Sequence, residues 1–184
     1  SLIESKSGER GIFNRNAAKK QVEKLGDRRN PDYNFGTNPC SEIILRDKEF
    51  CNLTEVIIRP NDTPETLKEK VRLATILGTW QATLTDFRYL SKEWKNNCEE
   101  ETLLGVSLTG IMDNAYTNGT KSKLPELLHS LKQEAISVNK LVAKQLSINP
   151  SAAITCVKPS GTVSQLVDAA SGIHSRHALY YVRT

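Results

Sequence analysis

The sequence predicts an α/β protein with parallel strands, on three observations. Short strand-like segments alternate with long helical ones. The longest helical pattern opens on a sharp start signal at Thr63, Pro64 and Glu65. Two strand-to-loop transitions, near Cys40 and near Ser160, fall where such folds place their chemistry.

Taken in order, the first part of the chain, to about residue 35, is polar, with a short helix expected over 16–25 and stopped by Gly26. The Pro and Asn content of residues 28–32 marks a loop. A turn over residues 37–41 then feeds the apolar run Ile43, Ile44 and Leu45. Residues 50–58 alternate well enough for a strand, closed by Arg59, Pro60 and Asn61. At Thr63 a capping hydroxyl precedes Pro at the first helical position and an acid in the first turn. The track Leu67, Val71, Ala74, Leu77, Gln81, Leu84 and Arg88, widened by Ile76 and Trp80, predicts a long and largely buried helix. Cys98 is expected to follow a helix, in an Asn- and Glu-rich stretch. Residues 105–112 are small and apolar and read as a buried loop or the start of a further helix. A second amphipathic helix is expected over 125–146, with Leu127, Leu128, Leu131, Ala135, Val138 and Val142 on one face. Residues 152–157 read as a buried strand, and Lys158, Pro159, Ser160, Gly161 and Thr162 as the turn that follows it.

The bulk properties exclude several classes. With 184 residues, 38% apolar and 25% charged, the chain has enough material for one domain with a real core. The net charge of +4 is mild and its charges are interspersed, so no nucleic-acid tail is marked. No apolar run approaches the roughly 18 residues of a membrane span, and no signal peptide opens the chain, so the cytoplasm is the expected compartment. Cys40, Cys51, Cys98 and Cys156 form no C-x-x-C pair and have no histidine at zinc-ligand spacing, so no metal site is expected. Both ends look cut: Ser1 is not an initiator Met, and residues 178–184 read as the start of a strand.

The pattern Asn38-Pro39-Cys40-Ser41-Glu42 carries the chemistry. In extended chain the i, i+2 spacing puts Asn38, Cys40 and Glu42 on one side. A carboxylate beside a thiol disfavours the thiolate that nucleophilic cysteines need. A cysteine that reacts by hydrogen-atom transfer needs no thiolate, and its carboxylate neighbour is free to act as a base. From spacing alone the pattern fits a structural turn as well as a site, the turn being the more common case. His174 and His177 lack a third ligand and read as structural; His129 reads as solvent-facing; Trp80 and Trp94 read as core and rim. Lys158 is either a substrate contact or a solvated charge.

This motif resembles the Asn-x-Cys-x-Glu finger loop of the ribonucleotide reductases, and further segments resemble that family in the same order. Residues 49–56, with Cys51, are similar to the segment that bears a redox-active cysteine. Residues 157–166 are similar to the substrate-phosphate loop, and residues 8–15, 170–178 and 180–183 also have counterparts. The pairing of residues 50–54 with Lys158-Pro159-Ser160-Gly161-Thr162 resembles the adenosylcobalamin-dependent triphosphate reductases more than the metal-radical or glycyl-radical members of the family. Arg10 and Ser175 depart from the family pattern, where proline is expected.

The resemblance implies a single partial domain over 1–184, the later half of a ten-stranded reductase α/β barrel with a central finger loop. It implies reduction of ribonucleoside triphosphates to deoxyribonucleotides, with Cys40 as the thiyl radical, Glu42 as base on the 3′ hydroxyl, Asn38 holding substrate hydroxyls and Cys51 as one of two reducing thiols. The partner thiol is expected upstream of Ser1. Pro159, Ser160, Gly161 and Thr162 are the implied substrate-binding residues. Adenosylcobalamin is the implied cofactor, held mainly outside this chain. A thioredoxin-like or dithiol reductant is the implied partner, and the parent protein is expected to be a monomer. A metal-radical reductase with a second subunit and a non-catalytic nucleotide-binding remnant are the alternatives.

Overall fold

The computed structural model describes residues 2–6, 11–26, 28–121 and 123–182. Residues 8–10 and 183, which belong to the segments quoted above, lie outside the described residues. The elements run α1 (Leu2–Ser5), α2 (Arg15–Glu23), β1 (Gly36–Thr37), β2 (Ile44–Leu45), β3 (Asn52–Ile57), α3 (Pro64–Gln81), α4 (Lys92–Glu101), β4 (Leu104–Thr109), α5 (Leu124–Leu146) and α6 (Val163–Leu166).

The centre is a pair of parallel strands, β3 and β4, in register from Asn52 opposite Leu104 to Ile57 opposite Thr109. Thr155 adds a parallel bridge to Val106 on the outer side of β4. Residues 152–157 therefore meet the sheet at one bridge and are not a full strand, although the backbone bonds of Val106 to Ile154 and Cys156 continue the parallel pattern. Residues 105–112, read as loop or helix, are instead most of β4 and a short 3-10 turn over Ile111–Asp113. Gly110 makes that turn possible: its φ is +78°, and a Cβ there would meet the Ile58 carbonyl oxygen at 2.6 Å.

Helix α3 starts where the sequence says. The Thr63 hydroxyl accepts from the Thr66 N–H at 3.3 Å, and the Thr66 hydroxyl accepts from the Thr63 N–H at 2.9 Å. Its buried face is Leu67, Val71, Ala74, Thr75, Gly78 and Thr79. The helix stops at Gln81, and its apolar track does not all face the core: Leu77 is 57% exposed and Trp80 55%. Both were expected inside. Gly78 lets the helix approach the sheet, since a Cβ there would lie 2.3 Å from Leu104 Cδ2. Helix α5 buries Leu131, Ala135, Val138 and Val142 as expected, while Leu128 is exposed. The core between sheet and helices is built from Val56, Ile58, Val106, Leu67, Val71 and Ala135, with Leu131 and Ala74.

Cys98 lies within α4 and not after a helix. That helix anchors the preceding segment through a buried charge cluster. Arg29 Nε donates to Glu101 Oε2 at 2.8 Å, and its Nη2 donates to the Ile44 carbonyl at 2.7 Å. Glu49 Oε2 accepts from the Arg46 N–H at 2.8 Å, and Arg46 Nη1 donates to Glu100 Oε2 at 2.9 Å. Trp94 stacks on Phe50 with ring centroids 4.6 Å apart, closing the outer edge. No helix among the described residues is long and apolar enough to cross a membrane.

Candidate active site

Strands β1 and β2 pair antiparallel, Gly36 with Leu45 and Thr37 with Ile44, so residues 38–43 form the tip of a hairpin. Asn38 closes that tip. Its side-chain oxygen accepts from the Ile43 N–H at 3.0 Å, and its backbone carbonyl accepts from the Ser41 N–H at 3.0 Å. Ser41 has a φ of +62°, a left-handed conformation that costs a non-glycine residue about 1 kcal/mol. The tip is thus a turn and not extended chain, and the expected i, i+2 alternation fails. Cys40 is exposed, whereas the Glu42 side chain is only 1% exposed.

Both carboxylate oxygens of Glu42 are buried without a hydrogen bond. Lys158 Nζ stands 3.9 Å from Glu42 Oε1, an ion pair too long for a hydrogen bond. Beneath the tip, Ile43 packs in one apolar cluster with Leu103, Ala152, Cys51 and Cys156. The sheet makes room there: a Cβ on Gly105 would lie 3.2 Å from Cys156 Sγ and 2.4 Å from Leu53 Cδ2.

Burial pushes the Cys51 thiol far up, and Cys156 and Glu42 push it further. Burial and then Glu42 push Cys156 up to about 11, with Lys158 opposing. Both sulfurs are therefore neutral thiols near pH 7, suited to giving hydrogen and electrons and poorly suited to nucleophilic attack. Glu55, on β3, has a buried and unbonded Oε1, and burial raises its carboxyl while Lys158 opposes.

The loop after Thr155 docks on the end of β4. Thr109 Oγ1 donates to the Ala170 carbonyl at 3.2 Å and accepts from the Gly172 N–H at 2.8 Å. Arg176 pairs with Asp113 at 3.0 Å, tying down the following segment. Ser160 is buried, its hydroxyl 2.7 Å from that of Ser164 and 2.8 Å from that of Ser171. Pro159, Gly161 and Thr162 are exposed, and the helix they enter, α6, has only four residues. His129, His174 and His177 are all exposed, and no group of three His, Cys, Asp or Glu residues placed to hold a metal occurs among the described residues.

The structure therefore gathers Glu42, Cys51, Cys156, Glu55 and Lys158, and keeps Cys40 at the rim. Glu55 is a residue sequence reasoning passed over, and Cys156 one it read as a strand residue and set aside as a partner for Cys51. Cys156 lies two positions before Lys158, and that spacing was the available signal.

No protein-family model matches the chain. Curated relatives do. The chain is 31% identical to the adenosylcobalamin-dependent ribonucleoside-triphosphate reductase of Lactobacillus acidophilus, over 80% of this chain and 23% of that protein. The enzyme of the same name from Lacticaseibacillus paracasei is 27% identical over 99% of this chain and 28% of the relative. That of Euglena gracilis is 30% identical over 83% and 21%. Among solved structures, a B12-dependent (class II) ribonucleotide reductase superposes with a TM-score of 0.62 and 25% identity, over 76% of this chain and 22% of its own. The chain spans about a quarter of the length of the L. acidophilus relative. By sequence and by fold, the chain is similar to about a quarter of the length of the adenosylcobalamin-dependent, class II ribonucleotide reductases.

Proposed function

We propose that the protein containing this chain reduces ribonucleoside triphosphates to 2′-deoxyribonucleotides, with Cys40 as the radical residue and this chain as the later half of the catalytic α/β barrel. The observation that carries the reading is Glu42. A carboxylate with both oxygens buried and unbonded, beside two protonated thiols and below an exposed cysteine, is poor structural design and good preparation for taking a proton.

The residue of this chain that adenosylcobalamin would act on is Cys40, whose exposure at the tip is compatible with a cofactor outside it. The residues that would hold the corrin belong to the rest of the protein. When bound, the cofactor supplies a carbon–cobalt bond that breaks homolytically and is the source of the radical.

In this chemistry the Cys40 thiyl takes the ribose 3′ hydrogen atom. Glu42 accepts the 3′-hydroxyl proton while a reducing thiol protonates the 2′ hydroxyl, which leaves as water. The two thiols, having given two electrons and two protons in all, close as a disulfide, Glu42 returns its proton to the 3′ oxygen, and Cys40 returns the hydrogen atom to C3′. Cys51 is one of the two reducing thiols. Asn38 shapes the tip and offers its amide to the substrate hydroxyls. Pro159, Gly161 and Thr162 are the exposed parts of the loop that meets the phosphates, and the buried Ser160 holds its shape. An external dithiol or thioredoxin-like protein reduces the disulfide.

The test is deoxynucleotide formation by the full-length protein from ribonucleoside triphosphate and a dithiol, with and without adenosylcobalamin. The reading expects product only with the cofactor. Product without it points to a metal-radical reductase, and no product under either condition points to a nucleotide-binding remnant.

A further inference from the structure

The reaction above gives Lys158 no task, and the inference drawn here rests on that reductase reading. We infer that Lys158 is a positioning residue: its ammonium is the counter-charge that holds the Glu42 carboxylate in place, and it is not a ligand of the substrate phosphates.

Glu42 is costly to bury. A carboxylate only 1% exposed, with neither oxygen hydrogen-bonded, is a state proteins rarely tolerate without a partner charge. The ion pair recorded for Glu42 among the described residues is with Lys158, at 3.9 Å. That separation is long enough to leave both carboxylate oxygens open as proton acceptors, yet short enough for strong attraction in a partly buried setting. A closer, hydrogen-bonded cation would occupy the lone pairs that the reaction needs.

Lys158 is held for this role. Its side chain is 25% exposed, and its Nζ donates to its neighbour's carbonyl, that of Pro159, at 3.3 Å. Its backbone carbonyl sits against Gly172, whose φ is +53° and where a Cβ would come within 3.2 Å of that oxygen. Its ion pair runs to the buried Glu42 side chain, whereas Gly161 and Thr162 are exposed.

The other titratable groups around Glu42 do not substitute for it. Cys51 and Cys156 are neutral thiols, and Glu55 is a second acid. Arg29 lines the cavity beside Glu42 but is engaged with Glu49 and Glu101. Lys132 lines the same cavity from an exposed position on α5. Lys158 is the cation aimed at the base.

The experiment compares full-length protein with its Lys158→Met and Lys158→Arg variants, measuring kcat and KM for a ribonucleoside triphosphate across the pH range with adenosylcobalamin and dithiol present. The expected Lys158→Met result is a fall in kcat of about tenfold or more near pH 7, with KM within about threefold. The acid limb of its pH profile moves to higher pH by about one unit, because removing a nearby cation disfavours a charged carboxylate. Lys158→Arg restores most of kcat and the original limb. A rise in KM with kcat preserved overturns the inference in favour of a phosphate ligand. A loss of kcat with the acid limb unmoved, or without rescue by arginine, overturns it in favour of a structural role. If the unsubstituted protein forms no deoxynucleotide, the reductase reading itself fails and takes this inference with it.

Discussion

Two groups of buried carboxylates lie within one short stretch of this molecule and are treated in opposite ways. Glu49 and Glu101, below 5% exposed, are wrapped by Arg29 and Arg46, with bonds of 2.8 Å from the Arg46 N–H to Glu49 and from Arg29 Nε to Glu101, and the one oxygen of Glu101 without a hydrogen bond lies 3.4 Å from Arg46 Nε. Glu42 and Glu55 hold buried oxygens with no hydrogen bond, and share the charge of Lys158. The first pair fastens the hairpin to α4. The second has one lysine in place of two arginines and leaves both oxygens of Glu42 open, an arrangement that suits a site handling protons. The contrast separates charges that build the fold from charges that work in it.

The comparison breaks most visibly at Glu42. Replacing it with Gln in the full-length protein is expected to lower deoxynucleotide formation by about 10²- to 10⁴-fold, the usual contribution of a general base. The variant should unfold no earlier than the unsubstituted protein, since a neutral amide is cheaper to bury than an unbonded carboxylate. Activity assays and thermal melts together read both effects. A variant that is active but unstable would put Glu42 in the structural group.

Glu101 should behave the other way. Glu101→Ala leaves Arg29 buried beside Glu49 with one partner gone, and a loss of about 3–5 kcal/mol in urea unfolding is expected. Among protein that remains folded, kcat should be preserved. Unchanged stability would mean that the cluster does not fasten the hairpin.

The smallest effect belongs to Glu55. Glu55→Gln is expected to change stability by about 1 kcal/mol or less, in the stabilising direction at neutral and higher pH. Burial raises its carboxyl above the ordinary range in the folded protein. The folded state therefore binds the proton more tightly than the unfolded one. Its contribution is full below the unfolded value and is lost as pH rises through the folded value. Unfolding measured across that window should show a slope for the native protein that the Gln variant flattens.

Much of the frame was legible in the sequence because local signals sufficed. Thr63 and Pro64 placed the start of α3, and the period of Leu131, Ala135, Val138 and Val142 placed α5. Strand β4 was missed although Leu104, Val106 and Leu108 alternate with Gly105, Ser107 and Thr109 as in a strand: the small and polar positions were read as a loop, whereas they are buried as well, and Gly105 leaves room that Leu53 and Cys156 fill. Helix α4 was missed because it is polar nearly all round and buries only Cys98 and Glu101. The apolar track of α3 named Leu77 and Trp80 as core, yet in this chain they lie on its outer side.

The site was half legible. The residue types of the Asn38–Glu42 motif were informative, but the left-handed Ser41 turned Cys40 outward and Glu42 inward, which no alternation rule foresees. Lys158 was undecidable because its meaning comes from a contact with Glu42 that only the parallel alignment of residue 155 with β4 brings about.

The most direct test of the division of labour among these residues is a single turnover without external reductant. Full-length protein, reduced beforehand and freed of dithiol, is mixed with ribonucleoside triphosphate and adenosylcobalamin, then quenched, alkylated and mapped by mass spectrometry. The account predicts deoxynucleotide, Cys51 recovered in a disulfide, Cys40 recovered as a free thiol, and no product from Cys40→Ala. Product from Cys40→Ala, or Cys40 itself found in the disulfide, would contradict it.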